Sequence, residues 1–122
     1  MQVPILKQGG YLIASIQDAL TDDDLAHLQT ALVQKVRQFR SRGVIIDVTA
    51  LDVMDSFASR TLRHIAYMTR LLGAQTVIVG IQPDIAFSMV QLGLTLEGIE
   101  TALDLEEGLM CLARQGRYNR DR

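Results

Sequence analysis

Gly43 to Phe57 reads GVIIDVTALDVMDSF. Its first half, Val44 to Val48, is a short run rich in β-branched residues, which predicts a strand. Its second half passes Asp47, Asp52 and Asp55 and reaches Ser56, where a helical period begins and runs to Leu72. Thr76 to Ile81 is another β-branched run. Strand, helix and strand of these lengths form the unit that a right-handed parallel crossover requires, so the predicted class is α/β.

Upstream, Val3 to Lys7 and Tyr11 to Ile16 are apolar runs parted by Gln8-Gly9-Gly10, which predicts an antiparallel hairpin. Thr21 followed by Asp22, Asp23 and Asp24 offers a helix cap with three acids in the first turn, where the positive dipole end favours them. Leu25, Leu28, Leu32, Val36 and Phe39 then recur at spacings of three and four as one buried stripe. Lys35, Arg37, Arg40 and Arg42 sit toward the end that favours cations. Downstream, the pattern predicts a third helix over 84–92 after Pro83 and a short strand over 99–103. A fourth helix is predicted over 104–115, opened by Asp104 and Glu107 at capping-box spacing. Gly43, Gly73, Gly93 and Gly116 follow the four helices in turn, as left-handed caps require. The expected architecture is a mixed four- to five-stranded sheet with about four helices packed mainly on one face. The other face is left to polar residues or a partner.

The chain has 122 residues, which suits one domain over residues 1–116, with 117–122 (RYNRDR) expected to be a flexible basic tail. Hydrophobic residues at 48% and charged residues at 21% exclude a disordered chain. Twelve Lys and Arg against fourteen Asp and Glu give a formal charge of −2, so no overall positive field draws the chain to nucleic acid or an anionic membrane. A lone cysteine, Cys111, excludes an internal disulfide and reads as a buried structural thiol in a reducing compartment. Pro4, Lys7, Gln8 and the Gly9-Gly10 pair interrupt the apolar residues at the N-terminus, and no stretch reaches bilayer length; the expected location is the cytoplasm.

Enzyme signatures are absent from the sequence: it holds no phosphate loop of the G-x-x-x-x-G-K-[ST] type, no G-x-S-x-G and no C-x-x-C. His27 and His64 fall on different helices with no metal-ligating residue four positions on, so neither reads as a ligand, and no cofactor is implied. Asp47, Asp52 and Asp55 invite comparison with a magnesium-dependent receiver or phosphatase. A receiver, however, needs further acids after its first strand and a late lysine, and no lysine follows Lys35. Ser56 has two readings. Either Asp55 or Ser56 caps the second helix, or Ser56 is a kinase substrate whose phosphate would add about −1.5 to −2 charges to an acidic turn. Along the same helix Arg60, Arg63, His64, Tyr67 and Arg70 share a face opposite Ala58, Leu62, Ile65 and Leu72. That face is either solvated or a docking strip for an acidic partner, with Arg60 one turn from Ser56.

Gly43 to Phe57 resembles the strand-to-helix segment of STAS domains, the fold of anti-anti-sigma factors. PILK (4–7), SIQ (15–17), GIQP (80–83) and IETALDLEEGL (99–109) resemble, in order, segments of RsbS-type stressosome scaffolds, a single-domain branch of that family. The resemblance spans about 3–114. It implies a non-catalytic regulator that assembles with RsbR-type STAS paralogues and sequesters an RsbT-type serine kinase. Phosphorylation of a serine after an Asp releases the kinase in a stress-response pathway, and a PP2C-type phosphatase resets it. Carried onto this sequence the acceptor is Ser56, flanked by Asp55 and Arg60, with Arg63, Tyr67 and Arg70 as docking candidates and Ser59 as the nearest competitor. Like-charge repulsion between a phosphate beside Asp55 and an acidic kinase surface is the expected means of release. The alternative is a stand-alone anti-anti-sigma factor that binds its kinase without forming a shell, which particle size in a mixture with a paralogue distinguishes.

Overall fold

The computed structural model describes residues 3–120, with side chains described as far as Gly116. In chain order the elements are β1 (Ile5–Gln8), β2 (Tyr11–Ser15), α1 (Asp22–Phe39), β3 (Gly43–Asp47), α2 (Ser56–Leu71), β4 (Gln75–Val79), α3 (Pro83–Leu92), β5 (Glu100–Ala102) and α4 (Leu105–Arg120). They form one five-stranded sheet in the order β1-β2-β3-β4-β5. The first pair is antiparallel, with Gln8 opposite Tyr11 across a two-residue turn in which Gly9 has φ 59°. Each later pair is parallel, with Ile13 beside Ile45 and Ile45 beside Val77.

Every parallel crossover steps one strand in the same direction, and their right-handedness then stacks α1, α2 and α3 on a single face. The packing agrees. Leu12, Ala14, Val44, Ile46 and Ile78 share a core with Leu28, Leu32 and Val36 of α1, Leu62 and Ile65 of α2, and Ile85 and Met89 of α3. Alternate residues of the same strands, Ile13, Ile45, Val77 and Val79, point the other way and meet Leu105, Leu109 and Leu112 of α4. Three helices thus lie on one face, as the stripes predict. The second face is not left to polar residues or a partner, because α4 covers much of it. It does so at close range: a Cβ on Gly108 would come within 2.7 Å of Val79 Cγ1. Both-sided burial is why β3 and β4 read as unbroken apolar runs.

Helix boundaries follow the capping chemistry. Thr21 caps α1 through the amide of Asp24 at 3.1 Å, and the Asp24 carboxylate takes the Thr21 amide at 3.1 Å. At the start of α4 the Glu107 amide donates to Asp104 Oδ1 at 3.0 Å, but the Glu107 carboxylate reaches Leu103, one residue before the expected partner. Two of the four glycine stops hold: Gly73 (φ 91°) and Gly93 (φ 70°) follow α2 and α3. The other two do not. The end of α1 is Phe39, with Arg40 in the left-handed region at φ 49°, a conformation costing a non-glycine residue about 1 kcal/mol. Ser41 meets that cost by donating its hydroxyl to the Gly43 carbonyl at 2.7 Å, and Gly43 itself opens β3. Gly116 lies inside α4, which continues to Arg120 instead of stopping at Gln115; Asp121 and Arg122, the end of the expected tail, lie outside the described residues. Phe39, expected in the stripe, is 38% exposed, with the ammonium groups of Lys7 and Lys35 5.9 and 5.7 Å from its ring.

Candidate functional site

The segment between β3 and α2 emerges at the carboxyl end of the parallel strands. Asp47 closes the strand and turns the chain at once, its Oδ1 accepting from the Thr49 amide at 2.9 Å and from the Thr49 hydroxyl at 2.6 Å. Val48, Leu51 and Met54 then insert into the core at 0%, 5% and 5% exposure, so a stretch without regular structure is fixed by three apolar anchors. Asp52 and Val53 point outward between them. The turn is also tied to the neighbouring strand, because Gln82, just beyond β4, donates its side-chain amide to the Thr49 carbonyl. Neither Thr49 nor Gln82 is singled out by the sequence reading. An Asp-x-Thr pattern after a strand was the available signal for Thr49, whereas only the β3–β4 pairing brings Gln82 near.

The helix start separates the two readings of the Asp55-Ser56 pair structurally. Asp55 is extended (φ −85°, ψ 179°) and its Oδ1 accepts the Ala58 amide at 2.7 Å, so the carboxylate is the cap. Ser56 is the first helical residue and is exposed. Its hydroxyl is therefore not the capping group, and it stands where the first-turn amides and the positive dipole end emerge. Ser59, three residues on, is 1% exposed, and its hydroxyl oxygen is buried without a hydrogen-bond partner. Of the two serines only Ser56 is accessible. An Asp55→Ala substitution is expected to cost about 1 kcal/mol in denaturant unfolding, since it frees the Ala58 amide while leaving the buried anchors in place.

Arg60 is exposed one turn from Ser56, its guanidinium 5.8 Å from the centroid of the Phe57 ring. Farther along, the expected strip divides. Arg63 donates to Thr95 Oγ1 at 3.5 Å and Arg70 to the Gly98 carbonyl, so both hold the loop between α3 and β5. Tyr67, at 46%, and His64 are exposed between them. On the opposite side Leu62 and Ile65 are buried as expected, but Leu72 is 44% exposed at the helix end.

Asp47, Asp52 and Asp55 do not make a cation site: among the described residues no group of three His, Cys, Asp or Glu is placed to hold a metal. Asp47 is held by Thr49 and Asp55 by Ala58. His27 is exposed on α1, and Cys111 is half-buried against the α4 side of the core. Among the described residues no helix is long and apolar enough to cross a membrane. The strand order never reverses, so the sheet has no switch-point crevice of the kind that holds dinucleotides. What its carboxyl end presents is a rigid turn carrying an exposed serine.

The model of the STAS domain matches residues 2–108. The chain belongs to the STAS domain family. A serine-to-glutamate variant of RsbS from Moorella thermoacetica superposes with a TM-score of 0.81 at 35% identity, covering 94% of this chain and 97% of that one. A structure described as the molecular architecture of the stressosome, a signal integration and transduction hub, superposes at 0.77, also at 35% identity, over 93% and 99% of the two chains. The anti-sigma factor antagonist SpoIIAA in its unphosphorylated form, at 12% identity and a TM-score of 0.68, shares the fold. Among curated proteins, the RsbT co-antagonist protein RsbRA of Bacillus subtilis (strain 168) is 33% identical over 78 residues, which is 64% of this chain and 28% of RsbRA. The matched region of this STAS protein thus spans about a quarter of the length of that relative.

Proposed function

We propose that this STAS protein is a non-catalytic scaffold of a stressosome-type assembly, which captures an RsbT-type serine kinase and releases it when Ser56 is phosphorylated. RsbR-type STAS paralogues are its assembly partners, and a PP2C-type phosphatase restores the hydroxyl. The observation that carries this reading is the division of labour at the start of α2: Asp55 caps the helix, Ser59 is buried, and Ser56 is exposed. The similarity to RsbS and to the stressosome structure over nearly the whole of each chain supports the assembly part.

The chemistry suits a reversible mark. A phosphate on Ser56 would be favoured by the amides and dipole at the start of α2 and lies within a turn of Arg60, so α2 tolerates it. The surroundings modify the expected release by repulsion. The turn is already acidic through Asp52 and Asp55, so repulsion of an acidic kinase surface would operate before phosphorylation too. The added step is desolvation: a partner packed on a neutral hydroxyl must, after phosphorylation, strip water from a dianion. A penalty of about 2 to 3 kcal/mol lowers affinity roughly 30- to 150-fold, enough to empty most sites.

Phosphosite mapping after incubation with a cognate kinase and ATP tests the proposal. Trypsin yields the peptide Gly43 to Arg60, which contains both serines, and fragmentation assigns the modification. The expected result is one phosphate on Ser56 and none on Ser59. Modification of another residue alone, or none at all, rejects it.

A further inference from the structure

The four helices run antiparallel to the parallel strands, so their first turns gather at the carboxyl end of the sheet and their last turns at the amino end. Three of them carry acids in the first turn, and two close on an arginine. Asp22 and Asp23 open α1, Asp84 opens α3, and Glu106 and Glu107 open α4, while Arg37 closes α1 and Arg70 closes α2. Local helix chemistry repeated in one orientation gives the whole domain an electrical polarity, although its formal net charge is only −2.

The polarity is sharpest along α1, whose 18 residues span about 27 Å. Beyond its last turn lies a cavity of about 390 Å³ lined by Val36, Arg37, Arg40, Ser41, Arg42, Leu72 and Gly73. Its three arginines are exposed, and no carboxylate lines it. Among the described residues, Glu97 and Glu100 precede or open β5, three strands away from β2. At the other end of α1, Asp18, Asp22 and Asp23 are exposed. The loop before α1 adjoins the Asp52–Asp55 turn, since Ala19 and Leu20 line one small apolar pocket with Val53 and Asp55.

We infer that this protein associates head to tail with a second copy of itself, the Arg37–Arg40–Arg42 cavity of one molecule receiving the Asp18–Asp22–Asp23 end of α1 of the next. Charge complementarity identifies the occupant: the acidic surface that the cavity fits is present, equally exposed, at the far end of the same helix. Unlike a two-fold contact, a head-to-tail contact uses two different surfaces and propagates into rings or open chains. The inference deepens the assembly part of the proposed function and rests on it, by assigning the surface through which like copies meet.

Sedimentation velocity of the full chain, at about 100 μM in low salt and again in about 0.5 M salt, tests it. The unmodified chain is expected to associate in low salt and to dissociate in high salt. Arg37→Glu/Arg40→Glu reverses two of the cavity's three arginines and Asp18→Lys/Asp23→Lys two of the three aspartates at the other end, so each alone is expected to weaken association by about tenfold or more. An equimolar mixture of the two is expected to associate again, because each end then finds its opposite. Circular dichroism checks folding. If a double variant does not fold, Arg37→Glu is mixed with Asp18→Lys, since both positions are exposed and neither is a capping residue. A monomeric unmodified chain in low salt, variants that associate as it does, or a mixture that stays monomeric overturns the inference. Association lost on adding inorganic phosphate at constant ionic strength, but untouched by the Asp18 and Asp23 changes, identifies the cavity as a small-anion site instead and likewise overturns it. Phosphorylation of Ser56 in an unmodified chain that stays monomeric leaves the switch standing while the docking surface falls.

Discussion

Ser56→Ala is expected to bind an RsbT-type kinase as tightly as the unmodified chain does, and Ser56→Asp to bind it about 30-fold more weakly. Neither change strains the fold. The cap belongs to Asp55, so removing the Ser56 hydroxyl takes no hydrogen bond from the start of α2, and alanine is the better helix former. An aspartate at the first helical position is favoured by the dipole. The comparison therefore isolates the surface: same helix, same anchors, one charge added. Because a carboxylate carries less charge and fewer oxygens than a phosphate, the aspartate effect is a lower bound on the phosphorylation effect. Titration calorimetry with the kinase held in a nucleotide-free state measures both. Equal affinity for the two variants removes Ser56 from the switch, and the proposed mechanism goes with it.

Gly80→Ala is expected to destabilise the domain by about 2 to 4 kcal/mol, lowering the melting midpoint by roughly 10 to 15 °C. Two costs combine. Gly80 has φ 82°, which a residue with a Cβ adopts at a penalty, and an added Cβ would collide with Thr49 Oγ1. The second cost is specific to the site, because Thr49 holds the Asp47 turn and its displacement disturbs the path to Ser56. Thr49→Ala in the Gly80→Ala background removes the clashing hydroxyl and is expected to recover about 1 kcal/mol, leaving the conformational part. Calorimetric melts of the four chains of this cycle measure the recovery. Strictly additive losses contradict a steric contact between these residues. The glycine of the GIQP segment, one of the four segments carrying the resemblance to RsbS-type scaffolds, thus keeps β4 from colliding with the turn after β3.

Legibility along the chain tracked the range of the interactions involved. The hairpin turn, the capped start of α1 and the strand and helix periods of β3, α2 and β4 were readable because each depends on residues within about four positions of one another. The cap at α2 was readable only to within one residue: Asp55 and Ser56 are both good caps, and the choice rests on which side chain reaches the Ala58 amide. The ends of α1 and α4 were misplaced because a glycine in a suitable position is not a stop unless the chain there has somewhere else to go. Arg40 ends α1 where Ser41 ties the chain to the carbonyls of Gly10 and Gly43 at the sheet, whereas α4 continues through Gly116. The strip of arginines on α2 was correct as a helical face. Its availability depended on a loop some 30 residues away, which takes up Arg63 and Arg70.

Amino-acid order alone determined the succession of strands and helices, that Ser56 stands at a helix entrance, and that acids open α1 while cations close it. These follow from backbone geometry and the field of a single helix, both local. Tertiary structure decided that Ser56 is exposed and Ser59 buried, that α4 covers the second face, and that two arginines of α2 serve a distant loop. It also decided that the separate helix charges add instead of cancelling. The physical reason is that burial and long-range electrostatics depend on how elements are stacked, and parallel strands with antiparallel helices place every helix start at the same edge.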